Sequence, residues 1–454
     1  MLPLTLAEVA AACGGRLHGG EPETLVTTVC TDSRRARRGD LFVGLRGESF
    51  DGDEYAAAAL AAGAAAAVVR AETAAQLPPG VVAVVVDDGL AALQALATHV
   101  RRRSGAKVVA ITGSAGKTST KDVLAALLRP VARTVATTAN HNNEIGVPLT
   151  LLQIEPDTEV VVVEMAMRGS GQIRELARVA LPDVGVITTI APVHLELVGT
   201  VEDVAAAKAE LIEELDGGTA VVPAGEALLE LHLSRFHGRV VTFGEPDADV
   251  HLVDEERRGE RTHALVDAFG HRAALEFSFT GGHYLQDALA ALAAFIEVGY
   301  RLDEARAGAA LVAFSDLRGA VSQLAGGGLL LNDAYNANPV AMKAALDHLV
   351  SIADGRPTVA VLGDMYELGD AGPAYHREVG EYCVAAGVRL VAVGDLGHGY
   401  LAGAAGERWF ATVEDCVAAL PEAVPPGSAV LVKASRGLRL ERVADALAAL
   451  EERR

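Results

Sequence analysis

Residues 107–120 read KVVAITGSAGKTST: an apolar run of strand length, a glycine-bounded loop, then the start of a helix. The usual phosphate-binding loop has a glycine, four free residues, then Gly-Lys-Ser/Thr. Here Ile111 fills the first glycine slot, and the loop shortens to Gly113-Ser114-Ala115-Gly116-Lys117-Thr118, with Ser119 next. Shortening leaves the physics intact. Free N–H groups and the helix dipole at a helix start favour a bound anion. Gly113 and Gly116 let the backbone approach it closely, Lys117 adds a point charge, and Thr118 offers a hydroxyl to Mg²⁺. A plain Gly/Ser turn entering a helix is the alternative. The order strand, loop, Lys-Thr, helix favours a bound nucleotide.

Outward from this loop the chain repeats strand-then-helix units. EVVVVE (159–164), VGVITTI (184–190) and TAVV (219–222) are near-continuous apolar runs, as buried parallel strands require. VEDVAAAKAELIEEL (201–215) reads as a helix between the last two. A second module of the same kind starts near residue 314, with strands GLLLN, TVAVLG, RLVAVG and AVLVK and helices near 340–350, 374–386 and 438–452. Before residue 101 short strands and helices mix, and RRRSG (101–105) reads as a charged linker. The expectation is an α/β protein of three domains, 1–104, 105–313 and 314–454: a mixed first domain, a central parallel-sheet domain and a third α/β domain.

Composition narrows the class. A chain of 454 residues is too long for one core. A net charge of −21 argues against nucleic acid, since phosphate neutralisation needs a basic face. The four cysteines form no CxxC pair, which suits a reducing compartment. MLPLTLAEVAAACGG has no basic n-region, and the run 55–69 is shorter than the ~20 residues that span a bilayer. A cytoplasmic protein without membrane insertion is expected. Only six of 39 basic residues are lysine, namely Lys107, Lys117, Lys121, Lys208, Lys343 and Lys433. Each retained lysine therefore raises the question whether an amine is needed there.

The unusual polar residues fall just after strands: Thr112, Glu164, Thr189, Asp333, Asp364 and Lys433. In open α/β sheets ligands sit outside the carboxyl ends of strands, so both modules aim chemistry at one cleft. Glu164 and His194 at neighbouring strand ends could hold a divalent cation beside phosphates. A lone histidine is more often packing, and Lys208 on a helix face is more often a solvated side chain. Asn142 and Asn143, in NHNNEIGVPLTLL (140–152), could line a phosphate or sugar site or simply shape a turn. GGHYLQDALAALAAF (281–295), NDAYNANPVAMKAAL (332–346), GDMYELG (363–369) and VKASRG (432–437) complete the set.

Together these stretches resemble the Mur ligases, ATP-dependent amide-forming enzymes of cell-wall precursor synthesis, along essentially the whole chain. That family uses the shortened Thr-Gly-x-x-Gly-Lys-Thr loop. DSRRARRGDLFVGLRGESFDGDEY (32–55) looks like its uridine-nucleotide-binding first domain. NNEIGVPLTLL, DAYNANP, GDMYELG and LVKASR look like the member that adds D-alanyl-D-alanine to UDP-N-acetylmuramoyl-tripeptide. The resemblance implies a P-loop-type central ATPase domain, a Rossmann-like third domain, ATP and Mg²⁺ as requirements, and a monomer. It also implies roles for single residues. The loop 113–119 would bind ATP, with Thr118, Glu164 and His194 at magnesium and Lys208 carbamoylated as a further metal ligand. Asn142 and Asn143 would lie near nucleotide and substrate, His283 by the adenosine, Arg318 by the phosphates, and Asp333 and Tyr335 by the nucleotide. Asp32, Ser33 and Arg34 would contact the UDP-sugar. The chain departs from the family at Tyr284 and Asp287, where asparagines are usual, at Thr189, and at RGAVSQ (318–323). Another ligase of the same superfamily, a folyl-polyglutamate or different-step Mur enzyme, is the nearest rival reading, and an ATP-binding regulator without catalysis is the rival of another class.

Overall fold

A computed structural model of the chain describes residues 1–324, 326–402 and 408–451. Its central sheet has nine strands, and the phosphate-loop strand Lys107–Thr112 lies inside it between Val160–Glu164 and Val184–Ile187. Both neighbours pair with it in parallel, as runs apolar on both faces require. The alternation of side chains divides one strand between two cores. Val108 and Ala110 join Val161 and Val163 on one face, against Leu93, Leu96 and Val100 of helix Gly89–Arg103. Val109 and Ile111 join Val160 and Val162 on the other, against helices Lys117–Leu128 and Gly282–Glu297. Each buried leucine of these faces contributes about 1.5–3 kcal/mol.

The first five-stranded sheet, with the outer strand Arg16–His18 antiparallel and the rest parallel, is therefore not a separate bead. Its core is continuous with one face of the central sheet. Arg101–Arg103, read above as a linker, form the last turn of helix Gly89–Arg103. Arg101 caps a neighbouring helix end by donating to Ala180 O and Leu181 O (both 3.2 Å from Nε), and it pairs with Asp183 at 2.8 Å. Cations suit the carbonyls at a helix C-terminus, so Arg101 there is structural.

Beyond Thr219–Pro223 and Arg239–Gly244 the central sheet changes character. Val250–Arg258, Arg261–Ala268 and His271–Phe277 run antiparallel as a meander along one edge. Alternating Ala264, Val266, Ala268 and Ala273, Leu275, Phe277 face the core, the period-2 pattern of a half-buried strand.

The third sheet has the order Ala320–Gln323, Leu329–Asn332, Ala429–Lys433, Thr358–Gly363, Arg389–Val393, Arg408–Phe410, with only its first pair antiparallel. Helices Pro339–Ile352 and Gly372–Ala385 cover one face, and Val413–Ala423 and Glu441–Glu451 the other. The carboxyl ends of its strands face those of the central sheet across a cleft of about 1030 Å³. Among the described residues no helix is long and apolar enough to cross a membrane.

Candidate active site

The loop is built as a cradle. Gly113 has φ 153° and Gly116 φ 79°; a Cβ on either would strike Thr188 Oγ1 or Asp287 Oδ1, at 1.9 Å and 2.2 Å. Neither position admits another residue without moving the site. Thr120 N donates to Gly116 O at 2.8 Å, so the amides just before it are the free donors that any helix start leaves. Lys117 Nζ folds back to donate to Gly113 O at 2.6 Å. Burial pushes its pKa down to about 8; Glu164 resists that shift and the Arg318 charge adds to it. A cation held at this cost is poised for an anion. Ser114, Ala115, Gly116, Lys117 and Ser119 line the cleft.

Among the described residues, one carboxylate oxygen and one amine beside the cradle have no hydrogen-bond partner. Glu164 is 1% exposed at the end of its strand; its Oε1 accepts from Asn142 Nδ2 at 2.8 Å, while Oε2 is buried with no hydrogen bond. Lys208, on helix Val201–Glu213, is also 1% exposed. Burial, then the nearby Lys117 charge, lowers its pKa well below the lysine value. No carboxylate offsets that shift. His194 opens the short helix Leu195–Val198 with φ 56°, and its Nδ1 pairs with Glu367 Oε2 of the third domain. Burial lowers the His194 pKa, Glu367 opposes this, and the Lys117 and Lys208 charges reinforce it. An orphan carboxylate oxygen, an imidazole and an uncompensated amine thus share one electrostatic neighbourhood around Lys117. The donors fit a hard divalent cation if the amine becomes an anion.

On the opposite wall His283 and Tyr284 begin helix Gly282–Glu297. Tyr284 stacks on Phe314 at 4.2 Å, and its hydroxyl lies 3.4 Å from Arg318 O. His283 lies on Tyr284 with centroids 3.9 Å apart, and burial followed by the Lys433 charge takes its pKa to about 4. Tyrosine in place of the family's asparagine therefore packs inward, and His283 is a neutral ring in the cleft lining. Asp287 points at the cradle. Burial raises its pKa to about 8, against a Ser119 hydrogen bond and the Arg318 charge, so at neutral pH it is a neutral acid close in shape to the missing asparagine. The Arg318 guanidinium lies 3.9 Å over the Tyr335 ring, and Asp333 is paired with buried Lys433.

Most of the sequence-derived set therefore converges on one cleft, contributed by two domains. Asn142 and Asn143 line it, although Asn143 Oδ1 also accepts from Gly146 N at 3.0 Å, which is turn chemistry. Thr118 and Lys208 are buried and do not line the cleft. Asp32, Ser33 and Arg34 lie elsewhere, on a short 3₁₀ turn, where Arg34 is 87% exposed and clasps Asp32 at 2.8 Å. Beside them Arg35, with Arg129, Arg133 and His141, lines a second groove of about 890 Å³ between the first two domains. Glu367 was not singled out in the sequence. Its partner is 173 residues away, and only GDMYELG as a motif marked the place.

A shortened phosphate loop in a parallel sheet, facing a second α/β domain, defines an ATP-dependent ligase architecture. Residues 25–115, 111–295 and 317–436 match, respectively, the Mur ligase family catalytic domain, the Mur ligase middle domain and the Mur ligase glutamate ligase domain. The chain belongs to the Mur ligase family. It is 37% identical over 438 residues to the UDP-N-acetylmuramoyl-tripeptide–D-alanyl-D-alanine ligase of Synechocystis sp., covering 93% of this chain and 92% of that one. In three dimensions it is similar to crystal structure I of MurF from Acinetobacter baumannii, with TM-score 0.88 and 29% identity over 98% and 99% of the chains. It is also similar to the MurF ligase of Thermotoga maritima in complex with ADP, with TM-score 0.83 and 28% identity over 94% and 98%.

Proposed function

We propose that this protein joins D-alanyl-D-alanine to UDP-N-acetylmuramoyl-tripeptide, using ATP, in peptidoglycan precursor synthesis. One observation carries the reading: the cradle and the orphan Glu164 oxygen line one cleft, with buried Lys208 coupled electrostatically to Lys117, in a chain alike along its length to ligases of that name.

A carboxylate is a poor acyl donor and must be activated. The tripeptide carboxylate attacks the γ-phosphate of ATP, ADP leaves, and an acyl phosphate forms. The dipeptide amine then attacks the acyl carbon, the tetrahedral intermediate expels phosphate, and the amine loses a proton. No nucleophilic side chain is needed, so the protein's work is positioning and charge neutralisation. The free amides at the start of helix Lys117–Leu128 and the Lys117 ammonium hold the β- and γ-phosphates. Arg318, already over Tyr335, offers a second cation, and His283 and Asp333 border the nucleoside. Thr118, Glu164, His194 and carbamoylated Lys208 would hold Mg²⁺, which when bound neutralises phosphate charge. The depressed pKa of Lys208 supports the carbamate. A neutral amine can attack CO₂ and release a proton, turning a misplaced cation into an oxygen ligand.

By the same reading, residues 1–104 take the UDP-sugar, with Asp32, Ser33 and Arg34 at its edge and the basic groove at Arg35 beside them. Residues 105–313 take ATP, and 314–454 close over it. One chain supplies the whole cleft, which supports a monomer, and the substrates place the reaction in the cytoplasm. Mass spectrometry tests the proposal: tripeptide, dipeptide and Mg-ATP should yield the UDP-linked pentapeptide. A product carrying a single added amino acid would refute it.

A further inference from the structure

The motif GDMYELG is held more firmly than a surface turn needs. Met365 N donates to His376 Nε2 at 3.1 Å, Tyr366 N to Ser435 Oγ at 2.9 Å, and Asp364 Oδ1 accepts from Gly397 N at 2.7 Å. The next residue, Glu367, has φ 64°, a left-handed backbone that costs a non-glycine residue roughly 1 kcal/mol or more. So fixed, its carboxylate reaches across the cleft to His194, itself left-handed at φ 56°, and its carbonyl meets Glu196 N at 3.4 Å. Two unfavourable backbones thus face each other across the domain boundary. The contact uses His194 Nδ1 and leaves Nε2 without a hydrogen-bond partner among the described residues, on a ring that feels Lys117 and Lys208.

We infer that Glu367 is a positioning residue, an inter-domain latch that orients His194 from the third domain and so completes the Mg-ATP site only when the cleft is closed. A carboxylate behind a metal-binding imidazole fixes its tautomer and ring angle, and losing such a partner typically lowers metal affinity 10–100-fold. Here the partner lies on the other domain, so closure and metal binding become one event. The inference rests on the ATP half of the reading above; tripeptide and dipeptide do not enter.

The test titrates Mg²⁺ into the full chain saturated with a non-hydrolysable ATP analogue, read by calorimetry, with the radius of gyration measured by X-ray scattering. Glu367 is 41% exposed, so Glu367→Ala should keep the wild-type melting temperature. It should weaken Mg²⁺ binding about tenfold or more and reduce the compaction that Mg²⁺ brings. In a His194→Ala background the same change should add nothing, because the latch acts through that ring. A Glu367→Ala titration within about threefold of wild type, where loss of such a partner costs at least tenfold, or an equal loss in the His194→Ala background, overturns the latch. A wild type without Mg²⁺-dependent nucleotide binding overturns the ATP reading and the latch with it. Failure of the ATP reading thus shows in the wild type, and failure of the latch alone shows only in the variants.

Discussion

Lys117→Met should make the ligand-free protein more stable while it destroys ligation. The native fold lowers the Lys117 pKa from 10.5 to about 8, chiefly by burial. At 1.36 kcal/mol per pK unit that shift is worth about 3 kcal/mol against the charged, folded form. Methionine removes the charge but also the hydrogen bond to Gly113 O, worth about 1 kcal/mol. Residual solvent contact of the side chain trims the cost further, so the expected net gain is about 1–2 kcal/mol. For a domain of this size that is roughly 3–6 °C. The sign of the pH dependence follows from the lowered pKa. Between about 8 and 10.5 the unfolded chain binds more protons than the native one, so wild-type stability recovers as pH rises through that window. The burial cost falls to under half by pH 9.5 while the lost hydrogen bond still counts, so the variant's advantage should be full at pH 7 and all but gone at pH 9.5. Thermal melts without nucleotide at both pH values measure it, and a phosphate-release assay should show turnover down about 100-fold or more. A melting temperature equal to or below wild type at pH 7, or an advantage that does not shrink at pH 9.5, refutes the electrostatic argument. Turnover within about tenfold of wild type, only ~1.4 kcal/mol of barrier, refutes the catalytic one.

Lys208→Arg should lose most activity, because guanidinium stays protonated and forms no carbamate. Lys208→Ala should be equally impaired and partly rescued by short-chain carboxylic acids; wild-type turnover in Lys208→Arg would overturn the carbamate. Asp287, with its pKa at about 8, should ionise beside the cradle as pH rises, so ATP affinity measured by calorimetry should fall above pH 8 in the wild type but not in Asp287→Asn. Its raised pKa makes the native state hold more protons between about pH 4 and 8, so this group withdraws stability as pH rises through that range, and the asparagine variant should melt higher at pH 8. Flat wild-type profiles would contradict this. Scattering with and without the ATP analogue and Mg²⁺ should show a more compact particle when both are bound, and an unchanged radius counts against a closing cleft.

The cradle was legible because every feature of it is local: strand, two special glycines, lysine and helix lie within fourteen residues. Glu164 and Asp333 were legible for a related reason, since a polar residue ending an apolar run marks a strand's carboxyl end. Lys208 was not. On the helical pattern alone it is a solvated lysine, and only packing of the helix against the central domain buries it. Glu367 was invisible because its role is a contact between domains that sequence spacing does not encode. The antiparallel meander 250–277 carries the right alternation, but its charged first strand, VHLVDEERR, gives little apolar signal. RRRSG misled in the other direction, since charge at a helix end reads as a linker unless the carbonyls it caps are known.

The most direct test of the central claim is phosphate release measured with each component omitted in turn. Release should require UDP-N-acetylmuramoyl-tripeptide, D-alanyl-D-alanine, ATP and Mg²⁺ together. Replacing the dipeptide by a single amino acid should reduce the signal to background. Equal release with a single amino acid, or full release without the tripeptide, would contradict the account.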